Sequence, residues 1–127
     1  MSPQSRRRDD REEVSDIDLH IESTAQGEWT VLAIVGELDL YTGPQLRDAV
    51  LAATGEGRDH IAIDLNGVTF IDSTGLGILV ACLKHVRELD GALALIAPDT
   101  SPLIRLLSLT GLQEILPTHP TLAAAIA

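Results

Sequence analysis

Asp72, Ser73, Thr74 and Gly75 stand where the apolar run Thr69-Phe70-Ile71 gives way to a long apolar-periodic segment that reaches about Leu89. Ser, Thr or Asp just ahead of such a segment is a helix-start signal, because its side-chain oxygen accepts a backbone N–H that the first turn leaves unbonded. A hydroxyl pair, Ser73 and Thr74, is thereby placed at the positive end of a helix. That end favours added negative charge and offers N–H donors to a phosphate. The chemistry these residues suit is acceptance of a phosphoryl group, a phosphorylatable switch on a small α/β domain. The plainer reading is that Ser73 is only a helix cap or first-turn residue, worth about 1 kcal/mol. The local residues leave both readings open.

Other groups were weighed for chemistry. Asp39 follows an apolar strand, where the loops of an open α/β sheet gather; its ordinary role is in a turn or a cap. Asp72 is a cap or orients the acceptor hydroxyl, and it is not a catalytic base, because that group normally comes from the kinase. Gly75, Gly77 and Ala81 leave room for another backbone near the helix start. A Ser-His-Asp triad is disfavoured: Ser73 lies in Asp-Ser-Thr-Gly and not in a Gly-x-Ser-x-Gly elbow, and His85 is roughly 18 Å along the helix at 1.5 Å per residue. His20, His60, His119 and Cys82 are scattered without paired ligand spacing, so no metal is expected. No Walker-type phosphate loop is present, and no cofactor is expected. The protein reads as a non-enzyme.

Composition narrows the class of partner. The 127 residues suit one domain with a modest core, and hydrophobic residues make up 45% of them. Aromatics are only 2%, so the core is aliphatic and stacking platforms for nucleic acid are scarce. A net charge of -10 repels DNA, RNA and anionic lipid, and points to a protein partner that is neutral or basic at the contact. The single cysteine, Cys82, excludes an intrachain disulfide and reads as a small buried thiol. No apolar stretch reaches the roughly 18 residues that span a bilayer, and the N-terminus lacks a signal-peptide core, so a cytoplasmic protein is expected.

The elements that must position the hydroxyl pair follow from periodicity. Residues 1–15, with Arg6-Arg7-Arg8 followed at once by acids, read as a disordered polar tail ahead of one domain over 16–127. Ile17, Leu19 and Ile21 alternate with polar residues, as in a half-buried strand, and Ser23 to Gly27 read as a turn. Trp29 to Val35 read as a more central strand paired antiparallel with the first. Thr42-Gly43-Pro44-Gln45 matches a capping box with proline in the first turn, opening a helix ended by Gly55 and Gly57. Ile61, Ile63 and Leu65 read as a short buried strand, and Ala92 to Ala97 as another; the helix between them implies a parallel pair with a right-handed crossover. Ser101-Pro102 opens a third helix that Gly111 ends, Ile115-Leu116 reads as a short edge strand, and Pro120 starts a last helix. The motif helix carries two apolar stripes. The sheet should take the one with Leu76, Leu79, Val80, Leu83 and Val86; the third helix or a partner should take the other, with Ile78, Cys82 and Leu89.

Gly36-Glu37-Leu38-Asp39, Ile63-Asp64-Leu65, Phe70-Ile71-Asp72-Ser73-Thr74-Gly75-Leu76-Gly77 and Leu109-Thr110-Gly111-Leu112, in that order and spacing, resemble the STAS domain, whose bacterial members include anti-sigma factor antagonists. The resemblance covers about Asp16 to the C-terminus. It implies an α/β STAS fold, with a four- to five-stranded mixed sheet and about four helices packed mainly on one side. It also implies that the unphosphorylated protein binds an anti-sigma factor that doubles as a serine-protein kinase, which frees a sigma factor. On the same resemblance, phosphorylation at Ser73 would block that binding and a phosphatase would reset the cycle. Thr74 stands where many relatives have a second serine and is a second possible acceptor. Asp39, Asp72, Ser73, Thr74, Gly75 and Gly77 would shape the partner surface of a protein expected to be a monomer or weak dimer. The alternative is a STAS scaffold or accessory subunit of a signalling assembly or transport system.

Overall fold

The computed structural model describes residues 19–127. The expected polar tail over 1–15, and Ile17 of the expected first strand, lie outside the described residues. Strands β1 (His20–Gln26), β2 (Trp29–Leu38), β3 (His60–Ile71), β4 (Ala92–Ile96) and β5 (Thr118–His119) form one five-stranded sheet in that order. β1 and β2 are an antiparallel hairpin, and the remaining pairs are parallel. The helices are α1 (Gly43–Gly55), α2 (Ser73–Glu88), α3 (Pro102–Thr110) and α4 (Leu122–Ile126). The strand, helix, strand unit anticipated around α2 is present, and a second one, β2-α1-β3, is also parallel. Every parallel strand therefore points its C-terminal end, and the loop that follows, toward the same edge of the sheet.

The core is aliphatic. Leu32, Ile34, Leu38, Ile61, Ile63, Leu65, Leu93 and Leu95 project from one sheet face onto Leu46, Val50, Leu76, Leu79, Leu83, Val86, Leu103 and Leu107 of the first three helices. On the opposite face α4 covers only Val31, Ala62 and Ile96, with Trp29 beside them, so the helices lie mainly on one side.

Five local expectations are corrected. Residues 23–26 continue β1, and the turn is only Gly27-Glu28, with Gly27 at φ 61°, the conformation a primed hairpin turn needs. β3 is not short: its 12 residues run to Ile71 through two register irregularities against β2. There Asp64 Oδ1 accepts from the Asn66 N–H at 2.9 Å, and Gly67 lies so close to β2 that a Cβ would come 2.7 Å from Val35 Cγ2. Such bulges break the alternation that marks a strand and imitate a turn. The edge strand falls at Thr118–His119, while Leu116 is fully buried in the core. The second stripe of α2, apart from the exposed Leu89, meets the first helix and not the third: Cys82 is buried, Ile78 lies against Gly43, and His85 Nε2 is hydrogen-bonded to Thr54 Oγ1 at 2.9 Å. The capping box at Thr42 does not form, because Thr42 makes no side-chain cap bond and Gln45 Oε1 instead accepts from the Leu19 N–H at 3.2 Å.

Leu79 is fully buried at the centre of α2. Leu79→Ala is expected to lower the unfolding free energy by about 2–5 kcal/mol, read as a drop in urea midpoint with unchanged slope.

Candidate functional site

The candidate site is built where β2 and β3 end side by side. Leu38 and Ile71 are register partners, and the Asp72 N–H donates to the Leu38 carbonyl at 3.4 Å. Asp72 is extended, at φ −111° and ψ −174°, and caps α2 by accepting from the Gly75 N–H on Oδ1 at 2.8 Å. Gly75 is buried, and a Cβ there would collide with the Leu38 carbonyl oxygen, so only glycine lets α2 start this close to β2. Ser73 and Thr74, the first two helical residues, are both exposed. Gly77, one turn on, is exposed with open space in front of it.

Asp39 organises the neighbouring loop. Its Oδ1 accepts from the Tyr41 N–H at 2.9 Å and the Thr42 N–H at 3.1 Å, and its carbonyl accepts from the Gly43 N–H at 2.8 Å. Thr42 is buried and donates its hydroxyl to the Glu37 carbonyl at 2.6 Å. α1 thus begins on an Asx turn from Asp39 in place of the expected box. The structure brings Asp39, Asp72, Ser73, Thr74, Gly75 and Gly77 to one end of the sheet and divides their work. Two carboxylates hold loops, Gly75 allows the close approach, and Ser73, Thr74 and Gly77 face solvent.

Sequence reasoning missed the apolar residues around them. Leu40 (60% exposed) and Tyr41 (76%) lie on the loop after β2, Phe70 (46%) at the end of β3, and Leu109 (77%) on α3. Phe70 and Leu109 line one groove. A signal was available: the chain has one Tyr and one Phe, and each abuts a motif residue, Tyr41 two places after Asp39 and Phe70 two before Asp72.

A model of the STAS domain matches residues 20–125. The chain belongs to the STAS domain family. It is 33% identical over 100 residues, 79% of this chain and 92% of the relative, to a Staphylococcus aureus protein named anti-sigma-B factor antagonist. It is similar to the crystal structure of an anti-sigma factor antagonist from Mycobacterium paratuberculosis, at 28% identity and a TM-score of 0.77 over 87% of this chain and 92% of that one. A STAS domain protein of Planctomyces limnophilus, described as an anti-sigma-factor antagonist, matches at 28% identity and TM-score 0.70 over 86% and 95% of the two chains. The five-stranded mixed sheet and its four helices are the fold that the sequence motifs implied.

Two histidines of this STAS domain are engaged with groups other than Ser73. His85 is engaged with Thr54, and His60 pairs with Asp59 at 2.9 Å and stands edge-on to Trp29 with ring centroids 5.3 Å apart. Among the described residues no group of three or more His, Cys, Asp or Glu could hold a metal ion, and no helix is long and apolar enough to cross a membrane. Burial pushes the Cys82 thiol from 9.0 up to about 11, with the Arg47 guanidinium pulling the other way.

Two predictions follow from these contacts. Gly75→Ala is expected to destabilise by about 2 kcal/mol or more, because a backbone carbonyl must move, whereas Gly77→Ala should stabilise by about 0.5–1 kcal/mol through helix propensity alone; paired urea melts read both. For Cys82, the unfolded chain loses its thiol proton first, so this contribution to stability is intact below pH 9.0 and declines as pH rises toward about 11. Wild type should therefore lose more stability than Cys82→Ala between pH 8 and pH 10.5.

Proposed function

We propose that this STAS protein is an anti-sigma factor antagonist whose unphosphorylated form binds an anti-sigma factor with serine-kinase activity and so frees a sigma factor. Phosphorylation of Ser73 by that kinase blocks binding, and a phosphatase restores it. One observation carries the reading: the helix is capped by Asp72, which leaves the exposed Ser73 hydroxyl without the structural duty that would otherwise account for it. Similarity to proteins named anti-sigma factor antagonists supplies the kind of partner.

The physics is that of a local block. A phosphoserine adds about −1.5 to −2 charge. Within the chain, the start of α2 offsets part of it, by roughly 0.3–2 kcal/mol, while Asp72 opposes it, so the fold survives modification. Against a partner the balance reverses. A charge near −1.7 held about 6 Å from one partner carboxylate costs roughly 1–5 kcal/mol for effective dielectric constants between 80 and 20. At 1.4 kcal/mol per decade, that weakens binding by about ten- to several-thousand-fold with no change of conformation.

Incubation with ATP and each anti-sigma-type kinase of the same genome, with phosphosite mapping by mass spectrometry, tests the proposal. One phosphate is expected on wild type and on Thr74→Ala and none on Ser73→Ala, with Ser73→Asp weakening kinase binding at least tenfold. No phosphate from any kinase, with the fold intact, would sink the antagonist reading in favour of a scaffold or accessory subunit.

A further inference from the structure

Beside the Ser73 turn, the end of β3 and the face of α3 enclose a groove of about 770 Å3. Phe70, Ile104, Leu106 and Leu109 supply apolar lining, and Asp99 and Arg105 supply charge. Leu109 is 77% exposed and Phe70 46%, in a chain whose other apolar side chains mostly reach the core. Ile104 and Leu106 pack in part against the core, while Leu109 and Phe70 stand open. α3 is anchored by fully buried Leu103 and Leu107, and its start is capped by Ser101 Oγ, which accepts from the Leu103 N–H at 3.1 Å.

We infer that this groove is a second foothold for the kinase proposed above, taking an apolar side chain of that partner beside a carboxylate that meets Arg105. The inference rests on the antagonist reading and adds to it a contact that the phosphate does not touch. Area is one argument. A specific protein complex covers about 800 Å2 on each partner, more than Ser73, Thr74 and Gly77 can offer from one helical turn. Residue type is another. Aromatic side chains are over-represented at binding centres, and this protein has one Tyr and one Phe, both exposed and both at this end of the sheet. Trp29, the remaining aromatic, stands at the start of β2 against His60.

Charge selects the occupant. With 19 acidic and 9 basic side chains the protein repels acidic lipid and nucleic acid, and Asp39 and Asp72 call for a basic face opposite them. Arg105 adds a positive group there: it lines the groove with Asp99 and, among the described residues, has no ion pair. An acidic group on an otherwise basic partner would find one place to sit, which sets the register of docking as well as its strength.

The test is titration of each anti-sigma-type kinase of the same genome with the full chain carrying Ser73→Ala, which removes phosphorylation from the measurement. Leu109→Asp and Phe70→Asp, added singly, should each weaken binding at least tenfold, and Arg105→Glu about three- to tenfold. Leu89→Asp is the matched control: Leu89 is 45% exposed at the far end of α2, and its change should stay within twofold. Circular dichroism checks that each variant is folded, and Leu109→Ala and Phe70→Ala, expected to lose about threefold or more, replace any that is not. If the groove variants bind as the parent does while Ser73→Asp abolishes binding, the groove inference falls and the switch stands. If Leu89→Asp costs as much as Leu109→Asp, added charge is the cause and the inference falls. A dimer in analytical ultracentrifugation that Leu109→Asp dissolves, with kinase binding unchanged, would make a second copy the occupant and overturn it. No binding by the Ser73→Ala parent to any kinase removes the antagonist reading and this inference together.

Discussion

The close approach of Gly75 to the Leu38 carbonyl governs the geometry of the candidate site. It brings the first turn of α2 against the end of β2 and lets the Asp72 carboxylate reach the Gly75 N–H while its own N–H reaches Leu38. Three constraints meet there: a strand end, a helix start and a glycine that no larger residue can replace. Because that start is rigid on its inner side, Ser73 and Thr74 are held outward at fixed positions on the first turn of a 16-residue helix. A modification there changes the surface potential without unsettling the packing beneath.

The same economy appears in the loop before α1. Asp39 satisfies two N–H groups and Thr42 closes onto Glu37, so that loop is held by its own short-range hydrogen bonds. Gly43 then fits beneath Ile78 and locks α1 to α2, so Ile78 and Cys82 of the second stripe are taken up inside the protein while Leu89 stays exposed. With Ile78 and Cys82 internal, the most exposed large apolar side chains among the described residues are Leu109, Tyr41 and Leu40. Tyr41, Phe70 and Leu109 are exposed apolar neighbours of the Ser73 turn. Those groups are absent from any account built on the hydroxyl motif alone.

Much of the architecture was legible from the residues because local periodicity and end signals agreed with one another. The antiparallel β1–β2 pairing, the α1 helix with its glycine end, the Ser101-Pro102 start and the Gly111 stop of α3 all stand where sequence reasoning put them. So does the motif helix, whose cap residue, Asp72, was among the choices that the sequence left open. The failures share a cause. β3 looked like a short strand because bulges near Asn66 and Gly67 interrupt its alternation, and a bulge is set by what the neighbouring strand does. The capping box at Thr42 failed because Asp39 supplies the turn and Leu19 claims Gln45, a contact 26 residues away in sequence.

By itself, then, the sequence determined the elements, their order, an aliphatic core, an acidic surface and a hydroxyl pair at a helix start. These depend on residue type and on spacings of a few residues, which act the same way in any context. Tertiary structure alone decided that Asp72 and not Ser73 caps α2, that Gly75 faces inward while Gly77 faces out, and that Phe70 and Leu109 share a groove. Each of those is settled by which backbone passes within a few ångströms, and that distance is fixed only when strands and helices far apart in the chain have packed.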